Sequence, residues 1–211
     1  MKRAGYHTAF LGKVHLGGTV YSKTTRKPVT WKFDFHDIDF SRKWKDGPSD
    51  LGFDFTYSLP QGIQGPPYIA FRNGMLDGAP EDLIEWTPGV YGSSEIPTKG
   101  FGFKHWNSSE AGPHLIREAK AFIDRHVKDN SDTPFFMHYC TESCHVPHTP
   151  PETLAGEHIK GAAGDAHLDM IHEADIQLGI LVDHLETHGI LKNTLIVFAS
   201  DNGGLARGKP G

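Results

Sequence analysis

Two cysteines, four residues apart at Cys140 and Cys144, are all this chain contains. They cannot build a disulfide framework or the paired motifs of a zinc ribbon, so the redox compartment stays open. Positive charge is not in excess either. Lys and Arg number 21 against 26 Asp and Glu, for a formal net charge of -5. A dedicated nucleic-acid binder usually carries a basic patch, so no nucleic-acid partner is expected. A polyanionic substrate held by a few local cations is still compatible. No apolar run approaches the ~18 residues of a membrane span, so no span is expected. Met1, Lys2 and Arg3 lead into Ala-Gly-Tyr-His-Thr rather than an apolar h-region, so no secretory signal is visible and localisation is unknown.

What the chain does have is glycine (24), proline (14) and histidine (14). Gly and Pro in such numbers imply many turns and loops. Hydrophobic residues at 37% and charged residues at 22% fit a soluble globular protein of 211 residues. Residues 7–11, HTAFL, read as a short buried strand ending at Gly12. Residues 18–109 are irregular, with room only for short strands and turns. Periodicity begins at residue 110: Leu115, Ala119, Phe122, Ile123 and Val127 predict an amphipathic helix over 111–128, capped by Ser109 or Ser108. PFFMHYC, opened by Pro134, reads as a strand followed by the loop TESCHVPHTPPE. A second helix is predicted from Asp165 to His188, with Leu168, Ile171, Leu178, Leu181, Val182 and Leu185 as its buried stripe and Gly189 as its stop. Thr194 to Ala199, TLIVFA, is β-branched and apolar and reads as a further strand.

Apolar strands alternating with amphipathic helices predict an α/β fold with a mostly parallel sheet and helices on both faces. Sites in such sheets lie beyond the carboxyl ends of the strands. Three predicted strands end in polar loops, and each loop carries chemistry. Asp201 and Asn202 offer two hard oxygen ligands suited to Ca²⁺ or Mg²⁺, although an ordinary Asx turn would use the same residues. His145 and His148 stand on a proline-stiffened loop and could move a proton or meet an anion; a plain surface loop is the alternative. Lys13 and His15, two apart in extended chain, point to one face and would form a small cationic pocket for sulfate or phosphate; a solvated basic turn is the alternative. Other features are set aside. His184 and His188 lack the HExxH pattern and suit a helix terminus. His167 and His172 read as exposed helix positions. The glycines and Lys209 after Asn202 miss P-loop spacing. Asn107 opens a common sequon, and Asp34, Asp37 and Asp39 fit an exposed strand or turn.

Taken together, the three loops resemble the sulfatases of the alkaline-phosphatase-like superfamily. AGYHTAFLGKVHLGG is similar to the signature in which Gly-Tyr-x-Thr leads to Gly-Lys-Trp-His-Leu-Gly, with Val14 in place of the Trp. PFFMHYCTESCHVPHTPPE resembles the family's Pro-Phe-Phe strand and His-x-Pro loop, the histidine falling eleven residues after Pro134 at His145. ADIQLGILVDHLETHGILKNTLIVFASDNGG resembles its long helix and Ser-Asp-Asn-Gly loop.

The resemblance implies an alkaline-phosphatase-like fold and metal-assisted hydrolysis of a carbohydrate or aryl sulfate ester. It implies Asp201 and Asn202 as ligands of one Ca²⁺ (or Mg²⁺), and Lys13, His15 and His145 around the sulfate. His148 and Lys209 are weaker substrate-binding candidates. It further implies a formylglycine nucleophile, installed by a formylglycine-generating or sulfatase-maturing enzyme at a Cys/Ser-x-Pro/Ala-x-Arg motif. No such motif occurs in the 211 residues. The expectation is therefore a central catalytic-domain fragment, residues 1–211, cut at both ends and inactive by itself. A phosphodiesterase or phosphonate hydrolase of the same superfamily, and an inactive homologue that binds sulfated glycans, are the alternatives.

Overall fold

The computed structural model describes residues 1–30, 34–86 and 100–201. Its strands are β1 (His7–Lys13), β2 (Val20–Tyr21), β3 (Pro28–Val29), β4 (Phe55–Leu59), β5 (Phe71–Arg72), β6 (Met75–Leu76), β7 (Leu83–Trp86), β8 (Gly100–Phe103), β9 (Phe135–Cys140), β10 (Thr153–Leu154) and β11 (Glu157–His158). Two long helices, α1 (Ala111–Asp129) and α2 (Ala166–Thr187), complete the frame. The central sheet has the order β6-β5-β4-β1-β9. β1 runs parallel to both β4 and β9, while β5 and β6 add an antiparallel hairpin at one side. One of its parallel strands, β4, comes from the loop-rich 18–109 stretch.

The pleat of β1 decides the two faces, because successive side chains alternate. Ala9 and Leu11 point one way, level with Phe55 and Tyr57 of β4 and with Met137 and Tyr139 of β9. This face receives Leu115, Ala119, Phe122 and Ile123 of α1, and together they form the main core. These apolar positions of α1 recur at helical spacing, which is why the segment is a helix and why this side of it is buried. Its start differs from expectation. Asn107 rather than a serine caps the preceding 3-10 turn, its side chain accepting from the Ser109 N–H at 3.1 Å. A second core, around Trp44, Ile38, Ile69 and Phe71, lies within the irregular region. Helices were expected on both faces of the sheet; among the described residues, α1 and α2 pack side by side on one.

The stripe expected for α2 is not the one it buries. Ile171 is 44% exposed, whereas Asp169, Met170, Glu173, Gln177 and Leu185 are buried. The reason is a polar network that periodicity of apolar residues cannot show. Asp169 accepts the Gly161 and Ala163 N–H groups at 2.6 and 2.7 Å. Gln177 accepts the Tyr139 hydroxyl at 2.7 Å and donates to Ser143 Oγ at 3.1 Å and Glu173 Oε1 at 2.8 Å. Buried polar groups are stable only when so satisfied. Gly112 lets the helices close on this network: a Cβ there would stand 1.9 Å from Glu173 Oε1. The ends of α2 follow the sequence. Asp165 accepts the Leu168 N–H at its start, and Gly189 at φ 70° turns the chain after His188.

The strand expected over 194–199 is not formed. The segment has no strand assignment, and Leu195, Val197 and Phe198 are 88%, 79% and 74% exposed. β-Propensity describes how well a residue fits a pleated surface against neighbours. Among the described residues no strand pairs with this segment, so its composition has nothing to act on.

Candidate active site

The carboxyl ends of β1 and β9 and the segment after β4 converge at one rim of the sheet. β1 ends in Lys13, paired with Leu59. The chain then follows the β4 exit, Val14 N–H donating to Leu59 O and His15 N–H to Pro60 O, both at 3.0 Å. Close strand packing makes this possible. Gly12 has φ 108°, and a Cβ on it would fall 1.8 Å from the Cys140 carbonyl oxygen of β9. Only glycine fits there.

Lys13 and His15 do meet, and Gln64 is what joins them. The Lys13 ammonium donates to Gln64 Oε1 at 2.6 Å, and Gln64 Nε2 lies 3.1 Å from both ring nitrogens of His15. A side-chain amide N–H donates, so His15 must accept and be neutral in this arrangement. Its pKa agrees: burial lowers it from 6.5, helped by the charges of Lys13 and His145. The cationic charge of the pocket therefore comes from Lys13, whereas the sequence suggested both residues. Burial also lowers Lys13 from its ordinary 10.5, opposed by the carboxylates of Glu142 and Asp201.

His145 stands on the loop after β9. Its Nδ1–H donates to the Val146 carbonyl at 2.6 Å, which leaves Nε2 as the basic nitrogen. The same loop holds Cys144 at φ 81°, and His15 sits at φ 47°. Non-glycine residues in left-handed backbone are disfavoured by about 1–3 kcal/mol each and concentrate where a site is held in a fixed shape. Asp201, at the far end of the 194–200 segment, lies within electrostatic reach of both Lys13 and Cys140. Four of the expected residues, Lys13, His15, His145 and Asp201, thus face one region. His148 instead packs on His167 of α2, with His148 Nε2 3.3 Å from His167 Nδ1. His167 is accordingly half-buried rather than free on its helix. Asn202 and Lys209 lie outside the described residues.

Two residues here carry no motif. Gln64 belongs to LPQGIQGPPY, which reads only as a loop. Glu142 is 2% exposed; the Ile63 backbone N–H approaches its carboxyl group without reaching full hydrogen-bond geometry. Burial pushes its pKa up to about 8, against the pull of Lys13. The one signal for Glu142 was an acid in a loop between an apolar strand and a histidine.

The two thiols are poor nucleophiles. Burial raises Cys140 to about 11, with Glu142 and Asp201 adding to the effect, and burial raises Cys144 as well. A thiol needs its thiolate form to react, so neither is activated. The wall formed by Lys13, His15, His145 and Asp201 offers a hard divalent cation one carboxylate oxygen, that of Asp201, within electrostatic reach of Lys13. Calcium takes six to eight oxygens, and Asp201 alone supplies a fraction of them. A separate cleft of about 270 Å³ beside the start of α1, lined by Tyr57, Trp106 and His114 among others, includes none of the wall residues.

Residues 1–210 match the sequence profile of the Sulfatase family. The chain is 26% identical to an N-acetylgalactosamine-6-O-sulfatase of Bacteroides thetaiotaomicron, covering 96% of this chain and 41% of the relative. It is 28% identical to an arylsulfatase of Hemicentrotus pulcherrimus, over 96% of this chain and 30% of that protein. Human steryl-sulfatase is 27% identical, over 96% and 38%. The chain thus spans less than half the length of these relatives. A solved structure described under the metabolism of multiple glycosaminoglycans by Bacteroides thetaiotaomicron shares the fold, with a TM-score of 0.66 at 22% identity, over 92% of this chain and 42% of its own.

Proposed function

The chain belongs to the sulfatase family, and from that premise we propose that its Lys13, His15, His145 and Asp201 wall holds the sulfate of an ester undergoing hydrolysis. The observation that carries this reading is the Gln64 bridge. It fixes a lysine ammonium and a neutral imidazole side by side at the end of β1, facing Asp201. Donors fixed in advance against a group that gains charge in the transition state are the largest single source of catalysis in many enzymes.

The roles follow from the donors. Lys13 presents an ammonium to the sulfate oxygens. His15, neutral and bonded to Gln64, offers a ring nitrogen to an oxygen beside it. His145, whose Nδ1–H is committed to Val146 O, can hold a proton at Nε2 next to the departing alcohol. Asp201 and the adjacent Asn202 are the residues that would hold a Ca²⁺ (or Mg²⁺), whose charge would neutralise sulfate oxygens. The nucleophile is proposed to be a formylglycine made by a maturing enzyme, and no Cys/Ser-x-Pro/Ala-x-Arg motif for it occurs within these 211 residues. Neither cysteine here has the motif or the acidity. The relatives' names include a sulfated sugar, an aryl group and a steryl group; for this protein a carbohydrate or aryl sulfate ester is proposed.

The test is a matched pair of chromogenic substrates, an aryl sulfate and an aryl phosphonate monoester, given to the full-length protein. The proposal expects the sulfate to have the higher kcat/KM. Preference for the phosphonate would move the chain to phosphoryl chemistry, and turnover of neither, with retained binding of a sulfated glycan, would make it a binding protein.

A further inference from the structure

Far from this rim, at the other end of the helix layer, α1 and α2 bring three ligand-type side chains together. The two helices run parallel. Near their starts Gly112 meets Glu173 and Gln177; near their ends Asp124 meets His184 and His188. The histidines are four apart on α2 and so share one face. Each presents Nε2 to the same atom, Asp124 Oδ1, at 2.8 Å. Their rings lie edge to face, 4.7 Å apart, and the three ligand atoms lie within 4.8 Å of one another. His184 and His188 side chains are only 14% and 25% exposed, whereas Asp124 is 53% exposed and open to solvent.

We infer that Asp124, His184 and His188 form a binding site for a divalent transition cation of the zinc type. Two imidazole nitrogens with one carboxylate oxygen form a donor set that zinc takes readily, with a water completing four-coordination. The three ligand atoms lie within 4.8 Å of one another, close enough for side-chain rotations to bring them onto one ion. Ligand atoms on a tetrahedral zinc with bonds of about 2.0–2.1 Å stand about 3.3 Å apart, so the 2.8 Å contacts need only open by about half an ångström. As the metal binds, each ring would keep one proton on Nδ1 and give its Nε2 lone pair to the ion, any second proton leaving to solvent. An ordinary histidine–aspartate pair would need one imidazole; here two converge on one carboxylate oxygen. The site would fasten the C-terminal turn of α2 to α1, and with it the exit toward Asp201. Its chemistry is that of a structural clamp, independent of the sulfate-holding wall.

The experiment is a Zn²⁺ titration of this chain, cleared of metal by chelation, followed by calorimetry and by the thermal midpoint. His188→Gln, His184→Gln and Asp124→Asn are compared with the parent; all keep approximate size and a hydrogen-bonding group. Co²⁺ visible absorption reports the coordination. The expected result is a Zn²⁺-dependent rise in the midpoint, with tetrahedral Co²⁺ bands. Each histidine variant should weaken binding by at least the roughly 10- to 100-fold seen when an outer-shell partner is lost. Absence of Zn²⁺ binding by the parent, or equal affinity in parent and His184→Gln/His188→Gln double variant, would overturn the proposal.

Discussion

Gln64 does at residue scale what no motif announces: it bridges Lys13 and His15. Gln64→Ala would free both, and loss of such positioning costs about 10- to 100-fold in rate. The expected outcome in the full-length protein is a fall of that size in kcat/KM for an aryl sulfate, with an unchanged thermal midpoint. A fall in the midpoint alone would assign Gln64 to folding. Glu142 gives a second prediction, in pH. Its carboxyl titrates near 4.5 in the unfolded chain and about 8 in the fold, where burial holds the proton. Between those values the native state binds the proton that the unfolded chain has released, so stability falls as pH rises through that window. Glu173, raised to about 7 by burial, acts in the same direction. Thermal midpoints measured across that window should slope less in Glu142→Gln than in the parent, and equal slopes would remove Glu142 from the account.

At the scale of elements, β1 and α1 are joined by core packing and by an unusual pair. Phe122 is 1% exposed in the main core, and Phe122→Ala should destabilise by about 3–5 kcal/mol, read by denaturant unfolding. At the start of β1, His7 Nδ1 lies 3.0 Å from His126 Nδ1 of α1, so one ring donates and the other accepts. Burial lowers both from 6.5, with His7 further lowering His126. The folded protein therefore resists a proton that the unfolded chain accepts. Stability from this pair is full above 6.5 and is lost as pH falls below it. His126→Asn, which keeps a hydrogen-bonding group but does not titrate, should flatten the acid side of the stability curve. An unchanged acid side would show that the pair does not control it.

Across the whole molecule, the sequence was readable where one physical signal acts alone. Period-3.6 apolar spacing located α1; a continuous apolar run located β9; Gly189 marked the turn after α2, whereas Gly12, expected to end the first strand, lies inside β1, which runs to Lys13. The convergence of Lys13, His15, His145 and Asp201 was legible because each closes a strand or a loop at the rim of a parallel sheet. The failures came where partners decide. TLIVFA has the composition of a strand, yet a strand exists only with a neighbour, and the described residues offer it none. The buried face of α2 is polar because Tyr139, Ser143 and Glu173 satisfy Gln177, an arrangement invisible to apolar periodicity. Glu142 looked like an ordinary loop acid because its burial depends on the packing of other segments.

The central claim, that the wall around Lys13 holds the reacting sulfate, is tested most directly by aryl sulfate turnover in three samples: the full-length protein, its Lys13→Ala variant, and the 211-residue chain alone. Removing one preorganised donor typically lowers kcat by about 10²–10³. Lys13→Ala should show that loss with the fold intact, and the 211-residue chain should show no turnover. Turnover left untouched by Lys13→Ala, or robust turnover by the 211 residues alone, would contradict it.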